Sequence, residues 1–176
     1  MKNLIKFLAV LLLFVGYTSC DELDELTEVD FDATVTDIIY VDAINGGVDV
    51  PLNNSRSIKL ADAGGAVQDY INNIESVTFN SLTYQVINFI GDPAGVMTVD
   101  IIADGVIMDT HTGVTVSSQV GTIHEITDTA TLNAIASDLK NGNSVIFEID
   151  GTATSEGGMD FDIQVSLDVK VVADAL

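Results

Sequence analysis

Tryptophan is absent, cysteine occurs once, and only 6 of the 176 residues are Lys or Arg. Without Trp, and with 7 Phe and 4 Tyr, the chain has no aromatic platform for stacking nucleic-acid bases. Six scattered cations form no basic stripe, which excludes nucleic acid as a partner. They also give the chain no attraction to an anionic lipid surface. A single cysteine excludes an intramolecular disulfide. The unbroken apolar run Phe7–Val15 has nine residues, too few for a spanning helix, which needs about 20. What is present is acid and oil together. There are 27 Asp and Glu, a formal charge of −21, 47% hydrophobic residues and a mean hydropathy of +0.37. A disordered acidic tail lacks the apolar residues to fold. This chain has enough for one core of ordinary domain size.

The N-terminus reads as an address. Lys2 and Lys6 charge a short leading region, and Phe7–Val15 has the length of a signal-peptide core. Gly16, Tyr17, Thr18, Ser19 and Cys20 follow. These residues resemble bacterial lipoprotein precursors, whose signal peptide is cut before a lipidated cysteine. Thr18, Ser19 and Cys20 match the last three lipobox positions. Tyr17 departs from the usual Leu, Val or Ile and is closer to the looser form of Bacteroidota lipoproteins. The resemblance implies lipidation at Cys20 and attachment to a membrane by more than one acyl chain, which holds firmly where one does not. Cleavage before Cys20 removes 19 residues, Lys2 and Lys6 among them. It leaves 157 of the 176 residues and shifts the formal charge from −21 to −23. The expected organisation is a signal peptide over 1–19, an acidic tether over 20–32 and one β-rich domain over 33–176.

The acids Asp21, Glu22, Asp24 and Glu25 read in two ways. One is a solvated tether extended by self-repulsion. The other is a sorting tag: acids just after the cysteine resemble the signal that exports Bacteroidota lipoproteins to the cell surface. Under the enteric pattern an Asp at position 21 means inner-membrane retention instead. The expected location is the cell envelope at the outer membrane, with exposure at the cell surface if the acids act as the export tag.

The rest alternates like β-structure. Val, Ile and Thr number 55, and β-branched side chains favour strands. From Phe161 to Val171 apolar and polar residues alternate, the mark of a half-buried strand. Its expected partner holds Val145, Phe147 and Ile149, joined through Gly151 to Gly158. Ala33–Asp42 is a second strand. Val77–Phe89 changes parity twice and predicts bulges. Asp104-Gly105 between Val96–Ala103 and Val106–Thr112 predicts a hairpin. Val114, Val116 and Val120 extend that meander, and Thr122–Ile126 adds a short piece. Asp128 or Thr129 caps a helix with Leu132, Ile135, Ala136 and Leu139 on one stripe. A weaker helix, capped by Asp62, holds Val67, Tyr70, Ile71 and Ile74 and ends near Asn72-Asn73. The fold class is mainly β: an antiparallel β-sandwich or strongly twisted sheet with two short helices. The two helices sit in matching contexts offset by 66 to 68 positions, which suggests a duplicated strand-helix-strand-strand unit. The second half, over about 60 residues, resembles late-embryogenesis-abundant-type β-sandwiches in element order alone, so no function is carried over.

Motifs for chemistry are few. No Gly-x-Ser-x-Gly elbow marks a nucleophile, and no glycine loop cradles phosphate. A zinc site needs three or four ligands, so it would have to combine His111 and His124 with carboxylates; the reading here is two exposed strand residues. Asp outnumbers Glu by 20 to 7, and Asp gathers in turns where calcium finds oxygen ligands. Calcium is therefore the one cofactor this composition suggests, with Asp30 and Asp32, or Glu156 with Asp160 and Asp162, as ligands. Residues i and i+2 of a strand share a face. The expected function is a lipid-anchored envelope protein with a non-enzymatic binding or structural module, its partner a protein, glycan or apolar ligand. The alternatives are an envelope hydrolase built on scattered carboxylates or hydroxyls, and a calcium-dependent adhesion or glycan-binding module.

Overall fold

The computed structural model describes residues 28–44, 46–142 and 144–175. Cys20, the lipobox Tyr17–Ser19 and the tag residues Asp21, Glu22, Asp24 and Glu25 lie outside the described residues. Eight strands follow in order: β1 (Glu28–Ile44), β2 (Val50–Lys59), β3 (Ile74–Gly91), β4 (Val96–Ala103), β5 (Val106–Thr115), β6 (His124–Glu125), β7 (Ser144–Thr154) and β8 (Met159–Asp174). Three helices intervene: α1 (Ala66–Tyr70), α2 (Val116–Gln119) and α3 (Thr129–Gly142). The strands form two antiparallel four-stranded sheets, in the orders β1-β8-β3-β6 and β2-β7-β4-β5. Their inner faces make one core, a β-sandwich. β1 begins at Glu28, paired with Asp174, so five residues of the stretch read as tether are strand.

β8 is built as its alternation predicts. Phe161, Ile163, Val165, Leu167, Val169 and Val171 are each at most 1% exposed. The expected pairing with β7 is corrected. β8 pairs β1 and β3, and β7 pairs β2 and β4. Both strands are central in their sheets, and each turns its apolar face to the shared core. The link over 155–158 therefore crosses between layers rather than closing a hairpin.

The parity changes of β3 are real. Its register slips between Ile74 and Ser76, Phe79 and Ser81, and Ile87 and Ile90. The Asp104-Gly105 hairpin also forms, with φ of 44° and 80°, the left-handed pair a tight turn of this type requires. Beyond it the meander stops. Val116, fully buried, opens the helical turn α2, and Val120 makes only an isolated parallel bridge to Val86. Asp128 caps α3, its Oδ2 accepting the Thr131 N–H at 2.8 Å. The earlier helix is broken in two: Leu60–Ala63 is a 3-10 turn, and Asp62 supplies no cap. Gly64 and Gly65, at φ 66° and 53°, separate that turn from α1.

The strand order of the two sheets follows one pattern. Adding four to each strand number turns β1-β8-β3-β6 into β5-β4-β7-β2, the second sheet read backwards. α1 lies between β2 and β3, and α3 lies between β6 and β7. Each half of the order reads strand-strand-helix-strand-strand rather than the expected strand-helix-strand-strand, and α2 has no counterpart in the first half. The seam where β1 meets β2 then corresponds to the seam where β5 meets β6. Asp37 of β1 and Arg56 of β2 close the first, Nε to Oδ2 at 2.8 Å.

Asp92 ties two turns at one end of the sandwich. Its carboxylate accepts the Ala94 N–H at 2.9 Å, the Gly157 N–H at 3.3 Å and the Ser155 hydroxyl at 3.5 Å. The backbone N–H donors, Ala94 foremost, hold its pKa below the ordinary 3.8. A depressed carboxyl stabilises the fold above its unfolded pKa, and the effect is lost as pH falls through the folded value. Asp92→Asn therefore melts below the wild type at pH 7. The gap closes as thermal scans move below about pH 4. A gap independent of pH contradicts this role.

Candidate metal centre at the second seam

β5 and β6 are the edge strands at the second seam. β6 is only two residues long, and its His124 stands directly opposite Tyr84 of β3. Such cross-strand neighbours touch: the two rings stack at 4.9 Å between centroids, 12° apart. On β5, Asp109 pairs with Ile101 and His111 with Val99. Ile101 and Val99 are core residues, 1% and 2% exposed. Asp109 and His111 therefore share the inward face of an edge strand. They meet the Tyr84–His124 pair across the gap between the sheets.

The contacts are specific. The Tyr84 hydroxyl donates to the Asp109 carboxylate and lies 2.8 Å from His111 Nε2. With that proton committed to Asp109, its oxygen accepts from His111 Nε2–H. His111 Nε2 lies 3.8 Å from Asp109 Oδ2. The His111 and His124 rings meet edge to face at 4.9 Å. His124 Nε2 lies 3.2 Å from Gln119 Oε1 of α2, so that nitrogen carries the proton and Nδ1 keeps its lone pair. The His111 side chain is 12% exposed and Asp109 39%. The cluster is sheltered and opens to solvent through its carboxylate.

The electrostatics follow from this enclosure. Burial and then the hydrogen bond to Asp109 push the Tyr84 phenol far up, so it stays neutral. Burial lowers the His124 pKa, the nearby His111 lowers it further, and Asp109 partly opposes both. Burial pushes the Asp109 carboxyl up. The Tyr84 hydroxyl, the Thr110 N–H and the two imidazoles outweigh it and leave the carboxyl below its ordinary value. At neutral pH the site thus presents a carboxylate and a neutral His124. Asp109, His111 and His124 each offer one donor atom, all within 4.8 Å of one another. Among the described residues this is the group of three such side chains close enough to share an ion.

The exposed-histidine expectation is corrected: neither imidazole points freely into water, because the seam between sheets encloses both. The calcium set is scattered. Asp30 is held by Lys170 Nζ at 2.6 Å, and Asp32 accepts from Asn80 at 3.2 Å. Asp162 accepts from Asn88 at 2.9 Å on β8. Asp160 is exposed at the start of β8, and Glu156 lies in the preceding turn. These residues form no three-ligand group among the described residues, and calcium wants six to eight oxygens.

No family model, curated protein or solved structure matches the chain. No helix among the described residues is long and apolar enough to cross a membrane.

Proposed function

We propose that the protein is a lipid-anchored component of the bacterial cell envelope, placed at the outer membrane, whose sandwich serves as a non-enzymatic binding or structural module. The observation that carries this reading is the run Phe7–Val15 followed by Thr18, Ser19 and Cys20. The position of β1 sets how far the domain would stand from such an anchor. Glu28 lies eight residues after Cys20, and eight extended residues span at most about 28 Å. An acylated Cys20 would thus hold the domain close to the membrane, while a charge of −23 keeps the body of the domain off anionic headgroups. With Asp21, Glu22, Asp24 and Glu25 acting as an export tag, the sandwich faces outward from the cell.

The hydrolase reading has one observation in its favour, the convergence of Asp109, His111 and His124. The cavity of about 50 Å³ at Thr83, Gln85, Gln164 and Ser166 lies on the outer face of the sheet of β3 and β8, away from these three side chains. A larger open cleft of about 330 Å³ lies on the β1–β8 ladder at Asp30 and Lys170, on the opposite side of the sheet from β6.

Cys20→Ala is the test. The wild type fractionates with membranes and incorporates labelled palmitate, whereas the variant is soluble and unlabelled. An unlabelled wild type, or a variant still bound to membranes, overturns the reading.

A further inference from the structure

We propose that Asp109, His111 and His124 form a binding site for a first-row divalent transition metal, zinc foremost, that clasps the edges of the two sheets. The proposal is independent of the lipid anchor and rests on geometry and donor chemistry. Two imidazoles and one carboxylate are the donor types such ions take. Three protein ligands leave a fourth position for water or a partner's side chain. Zinc–ligand bonds of about 2.0–2.1 Å in a tetrahedron set the ligand atoms about 3.4 Å apart. The three donors, within 4.8 Å of one another, need to close by roughly 1.4 Å, which side-chain rotation supplies.

The surrounding residues do what outer partners of metal ligands do. Gln119 holds the proton on His124 Nε2, leaving Nδ1 to coordinate. Tyr84 fixes the Asp109 carboxylate by hydrogen bond and the His124 ring by stacking. Asp109, more exposed than His111, is the entry. The site's partner ends are far apart in the sandwich's wiring: His124 belongs to the sheet of β1, β8 and β3, and Asp109 and His111 belong to the other. At the equivalent seam the Asp37–Arg56 ion pair spans the same gap. A carboxylate faces a base at both seams, but only the second pairs it with imidazoles, which coordinate metals where guanidinium does not. The field of a strongly acidic chain draws cations to the opening.

The test is equilibrium dialysis of the purified full chain, in detergent, against zinc at neutral pH. The wild type retains one zinc per chain in a form that tenfold excess calcium does not displace. Asp109→Ala and His124→Ala each weaken binding by about 100-fold or more. Asp37→Ala at the first seam leaves it unchanged. Should either variant fail to fold, electron paramagnetic resonance of the wild type with one equivalent of copper(II) decides: the site gives hyperfine structure from two imidazole nitrogens. Absence of stoichiometric zinc, displacement by calcium, unaltered binding in both site variants, or a copper spectrum without nitrogen overturns the proposal.

Discussion

Gly151→Ala lowers the melting temperature by roughly 10 °C or more and the stability by about 3–5 kcal/mol. Gly151 lies in β7 at φ +152°, a conformation that L side chains rarely adopt. A methyl group there would stand 2.2 Å from the Thr98 carbonyl oxygen and 2.8 Å from Val99 Cα. Both atoms are backbone of β4, the adjacent strand in the same sheet. They cannot swing aside as a flexible side chain would. Relief requires β4 to separate from β7, and that ladder runs from Val96 to Ala103. Strain of about 1–3 kcal/mol at the backbone and a similar amount for overpacking combine into the loss. Gly105→Ala is the control. It also has positive φ, but nothing lies within 4 Å of the added carbon, so it incurs only the conformational part. Equal losses at the two positions, read by thermal melts, contradict the close-approach account.

Phe147→Ala costs about 3–5 kcal/mol, by loss of transfer free energy and the cavity left behind. Phe147 is fully buried at the middle of β7, paired with Arg56 on one side and Ala103 on the other. Ala103 is small and also fully buried, so it cannot grow into the void. The adjacent Ile146, 44% exposed, tests the face assignment: Ile146→Ala changes stability by no more than about 0.5 kcal/mol. Urea unfolding of both variants measures the contrast. Comparable losses at 146 and 147 would mean that β7 does not alternate between core and solvent.

These two positions show how unevenly the sequence discloses the fold. β8 was legible because it has one clean parity and no bulge. β3 was legible as a strand with interruptions because its parity breaks are visible at Phe79–Leu82 and Val86–Ile87. The sheet to which each strand belongs was not legible. Alternation tells which face is buried, and β7 and β8 bury the same kind of face against each other from opposite layers. The cluster of Asp109, His111 and His124 was hidden by a bulge. Counting by two from Val106 turns Met108 and Thr110 inward and puts Asp109 and His111 outside. In the ladder Ile102 pairs with Ile107 but Ile101 pairs with Asp109, so Met108 is an extra residue and the parity flips after it. Asp109-x-His111 followed by His124 was the available signal, and it becomes meaningful only once that flip is known. Gly151, expected merely as part of a link to β8, acts as the point of closest approach to β4.

The anchor is the claim on which the function rests, and it concerns residues that no feature of the sandwich dictates. Intact-mass spectrometry of the protein extracted from membranes tests it most directly. A lipidated protein is a chain of 157 residues beginning at Cys20, heavier than its amino-acid mass by a glyceryl group bearing acyl chains. A chain that begins at another residue, or one whose Cys20 thiol is free, contradicts it.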